Sequence, residues 1–194
     1  MIIENYPEGK EELAEVPNHP QKPEWGKRQV PFSRELWIEK EDYQESPPKG
    51  YFRLSPGAEV RLRYGFVVKC TGMKDGAVPC IYYADSRSGT PGADKYKVKG
   101  NIHWVSAKHA QPAEVRLYDR LYRVPEPDGP EDLNPDSLRL IRAYLEPSLR
   151  VEVITETLSS GAAMFQFERH GYFIFDPKTG AFNRTVTLRD SWQK

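Results

Sequence analysis

The sequence predicts an all-β chain of short strands, closed into barrels or packed as sandwiches. Three features point there. Apolar residues alternate with polar ones at the two-residue period of a half-buried strand in several segments. Turn signals rich in Gly, Pro, Asp and Ser separate those segments. Prolines punctuate the first third at Pro7, Pro17, Pro20, Pro23, Pro31, Pro47 and Pro48. Each removes a backbone donor and disfavours helix in the residue before it, so long helices are not expected there.

The opening residues read as an extended lead-in that wraps on something else. Residues 60–69 read as one strand, with Val60, Leu62 and Tyr64 on one face and Arg61 and Arg63 on the other. Lys74-Asp75-Gly76 is a turn and Cys80-Ile81-Tyr82-Tyr83 a returning strand. Residues 86–94 form a Gly/Pro/Ser loop, and 101–124 hold two more strands. In 114–122, Val115, Leu117 and Leu121 alternate with Arg116, Tyr118, Arg120 and Tyr122. An acidic, proline-rich loop spans 125–135. Segments 165–175 and 182–188 are strand-like, being rich in aromatic and β-branched residues. Segment 137–145 resists: its mixed period and good helix formers predict a helix.

A chain of 194 residues can form one large domain or two small ones with modest cores. Its 38% hydrophobic and 29% charged residues fit a soluble, globular chain. No apolar run approaches the roughly 18 residues of a membrane helix. The acidic start, with Glu4, Glu8, Glu11, Glu12 and Glu15, does not fit a cleavable signal, so the cytoplasm is the expected location. Net charge is zero, so no global field marks a nucleic-acid binder. Yet charge is unevenly placed. Acids crowd 35–45, while 49–69 carries Lys49, Arg53, Arg61, Arg63 and Lys69 against Glu59. In 95–123, Lys95, Lys97, Lys99, Lys108, Arg116, Arg120 and Arg123 are interleaved with Tyr96, Trp104, Tyr118 and Tyr122. Basic stretches with aromatics suit single-stranded RNA, guanidiniums meeting phosphate and rings stacking on bases. Charge pattern on its own favours the plainer reading of solvated strand faces.

Catalytic constellations are missing. There is no Gly-rich phosphate loop, no Gly-Lys-Ser/Thr and no Gly-x-Ser-x-Gly. His103 lies in an aromatic strand and reads as a packed residue rather than a base. Cys70 and Cys80 cannot build a structural zinc site without two more ligands, and His103 and His109 lack the paired spacing to supply them. The two cysteines are expected to be separate thiols in neighbouring strands, since a cytoplasmic chain disfavours a disulfide. No catalytic residue, metal or cofactor is expected in this chain.

Several ordered strings resemble the C-terminal region of glutaminyl-tRNA synthetases. They include Pro17-Asn18-His19-Pro20, Arg28-Gln29-Val30-Pro31-Phe32-Ser33-Arg34-Glu35-Leu36-Trp37-Ile38 and Glu59-Val60-Arg61-Leu62-Arg63. Next come Lys99-Gly100-Asn101-Ile102-His103-Trp104-Val105-Ser106, Glu114-Val115-Arg116-Leu117-Tyr118-Asp119-Arg120-Leu121, Asn134-Pro135-Asp136-Ser137-Leu138 and Glu146-Pro147-Ser148-Leu149. The last are Phe165-Gln166-Phe167-Glu168-Arg169-His170-Gly171-Tyr172-Phe173 and Phe182-Asn183-Arg184-Thr185-Val186-Thr187-Leu188-Arg189-Asp190-Ser191-Trp192. The set covers nearly the whole chain.

The resemblance implies two antiparallel β-barrels with few short helices, which grip the anticodon of the glutamine tRNA. It places residues 1–27 as a lead-in from a catalytic part, 28–102 plus 181–194 in a proximal barrel, and 103–180 in a distal one. It also makes 137–145 a strand, and tertiary context is expected to override the helical propensity there. The ATP-binding and aminoacylation motifs of the family lie N-terminal to everything present, as does at least one anticodon-contacting arginine. The chain therefore looks like part of a longer ligase, inactive by itself and monomeric, with ATP used elsewhere.

By the same resemblance Arg53 reads the guanine of the anticodon, whose O6 and N7 fit an arginine fork. Arg61 and Arg63, about 6.7 Å apart if on one strand face, line the pocket of the first, pyrimidine base. Gln166 offers a donor and an acceptor matching O4 and N3–H of the middle uracil, and Arg169 holds the backbone nearby. Gln166 and Arg169 have opposite strand parity, so both can face the RNA only if the strand ends or bulges between them. The chain departs from many relatives at Gly50, where they carry glutamine, and at Phe52, where they carry lysine. A glutamyl-tRNA synthetase with the same barrels is one alternative, although Gln166 with Ile102-His103-Trp104-Val105-Ser106 fits the glutamine branch better. A free-standing barrel that binds structured RNA is the other.

Overall fold

The computed structural model describes residues 1–149, Ile154 and 163–188. They divide into two compact units. One is Met1–Ala110 with Glu146–Ser148; the other is Gln111–Leu145 with the described residues from Leu149 onward.

The first unit carries β1 (Ile2–Ile3), β2 (Glu12–Pro17), β3 (Lys27–Phe32), β4 (Leu36–Trp37), β5 (Glu59–Leu62), β6 (Val67–Cys70), β7 (Pro79–Tyr82), β8 (Gly100–Ile102) and β9 (Val105–Ser106). Five of these form a sheet in the order β1-β7-β6-β5-β8, while β2 pairs with β3 and β4 with β9. Alternation sets the faces. Ala14 opposes Val30, and both are buried; Val60, Leu62, Val68 and Cys70 are fully buried on the sheet. The core is an edge-to-face aromatic cluster centred on Phe32, whose ring lies 5.0–5.2 Å from those of Tyr6, Phe66 and Trp104. Such pairs add to the area they bury because ring edges and faces carry opposite partial charge. Trp104 also donates its Nε1–H to the Arg63 carbonyl at 2.9 Å, which ties the core to the end of β5.

The second unit carries β10 (Gln111–Tyr118), β11 (Leu138–Leu145), β12 (Met164–Phe167), β13 (Gly171–Asp176) and β14 (Ala181–Val186), in the order β11-β10-β14-β13-β12. Its core gathers Val115, Leu145, Ile154, Phe173, Phe175 and Phe182. Named helical elements among the described residues are three-residue 3-10 turns, such as Lys40–Asp42 and Pro130–Asp132.

The all-β class is as expected, with differences in detail. Residues 60–69 are a hairpin, not one strand: Tyr64 takes a left-handed φ of 59° and Gly65 donates to the Leu62 carbonyl at 2.7 Å. Val60, Leu62, Phe66 and Val68 are buried on both sides of the turn, while the alternation lapses within it, where Tyr64 is half-buried and Val67 fully buried. Segment Leu138–Leu145 is a strand paired with all of β10, from Gln111↔Leu145 to Tyr118↔Leu138. Its two faces both mix apolar and charged side chains, which is why periodicity misreads it.

Pairing is mixed rather than antiparallel throughout: β1–β7, β5–β8 and β10–β14 are parallel. Among the described residues the ladders run from edge to edge without closing. Residues 1–27 are no mere lead-in, because Ile3 and Tyr6 are core residues and β1 pairs with β7. The strand expected to return to the first barrel, Ala181–Val186, belongs to the second sheet, where the Phe182 ring lies 5.1–5.8 Å from those of Phe165, Phe167 and Phe175. Residues 189–194 lie outside the described residues.

Candidate nucleic-acid interface

Three of the five expected base- and backbone-contacting residues fall in the first unit. Arg53 follows the 3-10 turn Lys40–Asp42, and the bonds Leu54 N–H to Asp42 O and Gln44 N–H to Leu54 O hold the two segments together. Its Nε approaches the fully buried Asp42 carboxylate at 3.4 Å, and Nη1 donates to the Glu41 carbonyl at 3.3 Å. Nη2 has no hydrogen-bond partner among the described residues, and the side chain is 38% exposed. The guanidinium is thus held through Nε and Nη1, which fixes the plane in which Nη2 is presented.

Arg61 is arranged differently. Nη1 donates to the Ser86 carbonyl at 2.7 Å and Nη2 to the Ala93 carbonyl at 3.1 Å, with Ser88 Oγ and the Tyr96 carbonyl at 3.4 and 3.5 Å. The guanidinium clamps the loop between β7 and β8. It also lines an open depression of about 490 Å³ with Ser88, Gly89, Ala93, Asp94, Tyr96 and Lys97. Arg63 lies one residue past β5, in the turn, with its N–H still bonded to the Ile102 carbonyl at 2.9 Å and its guanidinium 5.3 Å from the Tyr64 ring. Arg61 thus lies within β5 and Arg63 just past its end, before the reversal at Tyr64 and Gly65.

Some features were not singled out from the sequence. Tyr83 and Tyr96 stack at 5.0 Å beside the depression. Their hydroxyls donate to Glu59 and Asp85, and each phenol is raised by that carboxylate, Tyr96 to about 12, so both stay protonated. Tyr83 was legible as the outward residue after buried Tyr82; its contact with a loop residue was not. Phe52 is 53% exposed, with Lys99 Nζ 4.9 Å from its ring centroid. Its carbonyl lies against Gly100, where an added Cβ would come within 2.0 Å, so this close approach requires glycine.

The other two residues belong to the second unit. Gln166 is exposed on the edge strand β12, opposite Tyr172. The strand ends at Phe167, and the three-residue turn that follows places Arg169 at a left-handed φ of 66°. The condition set by their opposite parity, a strand end between them, is met. A non-glycine residue held there is strained, and such strain clusters at functional sites.

His103 falls between β8 and β9. No helix among the described residues is long and apolar enough to cross a membrane, and no three His, Cys, Asp or Glu side chains among them converge as metal ligands.

The chain matches two models of the tRNA synthetases class I (E and Q) anticodon-binding domain, over residues 1–84 and 101–176. It is similar to glutamine–tRNA ligases of Cupriavidus taiwanensis, at 57% identity, and Cupriavidus necator, at 56%, over 100% of this chain and 35% of each ligase. The Bordetella avium glutamine–tRNA ligase is 51% identical over 99% of this chain and 34% of its own length. The chain thus spans about a third of the relatives it matches, and it belongs to the anticodon-binding family of the class I tRNA synthetases of the E and Q type.

Proposed function

We propose that this chain reads the anticodon of a glutamine tRNA as the anticodon-binding part of a glutamine–tRNA ligase. What supports this most is the end-to-end similarity to glutamine–tRNA ligases, at 50–57% identity, within a family described by anticodon binding. Arg53 presents its open edge to O6 and N7 of guanine, and Gln166 pairs with O4 and N3–H of the middle uracil. Arg61 shapes the pocket of the first base by holding its loop, Arg63 meets the base or its phosphate, and Arg169 binds the backbone. Phe52 offers a ring on which a splayed base stacks. ATP-dependent activation of glutamine and its transfer to tRNA belong to the remainder of the ligase, which works as a cytoplasmic monomer.

The test is tRNA binding with anticodons varied one base at a time. The chain should prefer the glutamine anticodon. Equal affinity for glutamine tRNA and for tRNAs with unrelated anticodons would overturn the proposal.

A further inference from the structure

Cys70 in β6 and Cys80 in β7 are direct cross-strand partners. On either side of them the strands are hydrogen-bonded, Thr71 N–H to Pro79 O at 3.0 Å and Tyr83 N–H to Val67 O at 3.1 Å, whereas the Cys70 N–H turns away to Ala58 O at 2.9 Å. The pair therefore occupies a non-hydrogen-bonded site, where opposed Cα atoms approach to about 4.5 Å and side chains come closest. That lies within the Cα separation of disulfides, about 4.4–6.8 Å, so a bond needs no backbone rearrangement. Both thiols are free and both are buried, with Cys70 Sγ 3.5 Å from the Gly72 carbonyl oxygen and Cys80 Sγ 3.8 Å from the Val78 carbonyl oxygen.

We propose that Cys70 and Cys80 form a two-cysteine oxidation site that takes a small peroxide and closes to a cross-strand disulfide. The Cys70 thiolate attacks one peroxide oxygen and breaks the O–O bond to give a sulfenic acid, and the departing hydroxide takes up the proton that the thiol released and leaves as water. The Cys80 sulfur then attacks the sulfenic sulfur, forming the S–S bond and releasing a second water. Two thiols and one hydrogen peroxide become one disulfide and two waters. Cys70 is the attacking group. Its closeness to the Cys80 thiol holds Cys70 below the ordinary range, at about 7, while the same closeness and burial push Cys80 up. Beyond the pair the hairpin tip is exposed at Met73, to 53%, and the Lys74–Ala77 bridge closes the turn. A neighbouring thiol traps the sulfenic acid before it advances to the irreversible sulfinic acid. Reaction is slow because the site is buried, so exposures last hours.

The experiment treats the folded, reduced chain with hydrogen peroxide, unfolds it and alkylates the remaining thiols for peptide mass spectrometry. Loss of both alkylatable thiols, their joint recovery with dithiothreitol and a linked Cys70–Cys80 peptide pair are expected. Both thiols still alkylated, disulfide-linked dimers, or sulfinic acid in the wild-type chain would overturn the proposal. In Cys80→Ser the same exposure should carry Cys70 to sulfinic acid. An unmodified Cys70 there would overturn its assignment as the attacking thiol.

Discussion

Arg53 and Arg61 carry the same side chain in different employment, and that difference decides what their removal does. Arg53 keeps an unbonded edge beside its anchor on Asp42, so Arg53→Ala should lower discrimination at the guanine position by about 1–3 kcal/mol. Gln166→Ala should do the same at the middle base. Arg169→Ala should weaken all anticodons alike and reduce the salt slope by roughly 0.7, as one phosphate contact on a single strand does. Affinities of anticodon variants at several salt concentrations check all three; a retained preference for the middle uracil in Gln166→Ala would remove that assignment. Arg169 has a second signature. Its left-handed φ of 66° costs a non-glycine residue on the order of 1–2 kcal/mol. Arg169→Gly should therefore bind RNA less well yet be no less stable to urea, gaining up to about 1 kcal/mol. Asp176 bears on stability through its hydrogen bonds. It accepts from Thr179 Oγ1 at 2.8 Å and Lys178 N–H at 3.0 Å, and these bonds hold its carboxyl below the ordinary value. A depressed folded value means stabilisation present above the unfolded carboxyl pKa, ~3.9, and lost as pH falls through the folded one. The thermal midpoint of Asp176→Asn should lie below wild type at neutral pH and converge with it in acid.

At the scale of elements, Arg61 from β5 holds the loop between β7 and β8 together with Arg87, which bonds Glu12 and the Leu13 carbonyl, and Ser88, which bonds the Gly65 carbonyl. Removing Arg61 leaves the Ser86 and Ala93 carbonyls without their guanidinium donor. Arg61→Ala should expose residues 86–97 to limited proteolysis and weaken binding to every anticodon, not only to one base. Arg61→Lys should not restore the loop, because one ammonium cannot span carbonyls that a planar fork reaches together. If Arg61→Ala instead left proteolysis unchanged and altered only first-base preference, the arginine would be a direct reader. β11 illustrates a related point. It is the edge of its sheet, and Leu138, Leu140, Ile141 and Tyr144 are all exposed on it, so its strand state is set by the β10 ladder rather than by burial of one face.

For the molecule as a whole, net charge is zero, and association with RNA must come from local patches rather than from a long-range field. The chain also carries no nucleotide-binding loop. Purified by itself, it should support no glutamine-dependent exchange of pyrophosphate into ATP; exchange above background would place catalytic residues where none has been assigned.

The sequence by itself determined the all-β class, most of the strand positions and the family, because alternation, turn chemistry and ordered motifs are local properties of the chain. It also named Arg53, Arg61, Arg63, Gln166 and Arg169 through the resemblance. Tertiary structure alone decided the rest. Val60, Leu62, Phe66 and Val68 keep one even-numbered spacing across the hairpin, so the reversal is revealed by the positive φ at Tyr64 and the antiparallel pairing of β5 with β6. Segment 138–145 could satisfy its backbone as helix or strand until β10 supplied eight partners. The membership of Ala181–Val186 depended on which aromatic core would bury Phe182. The direct opposition of Cys70 and Cys80 and the different hydrogen bonding of Arg53 and Arg61 rest on register and on carbonyls outside their own strands and turns, and long-range pairing is the information that a local pattern does not contain.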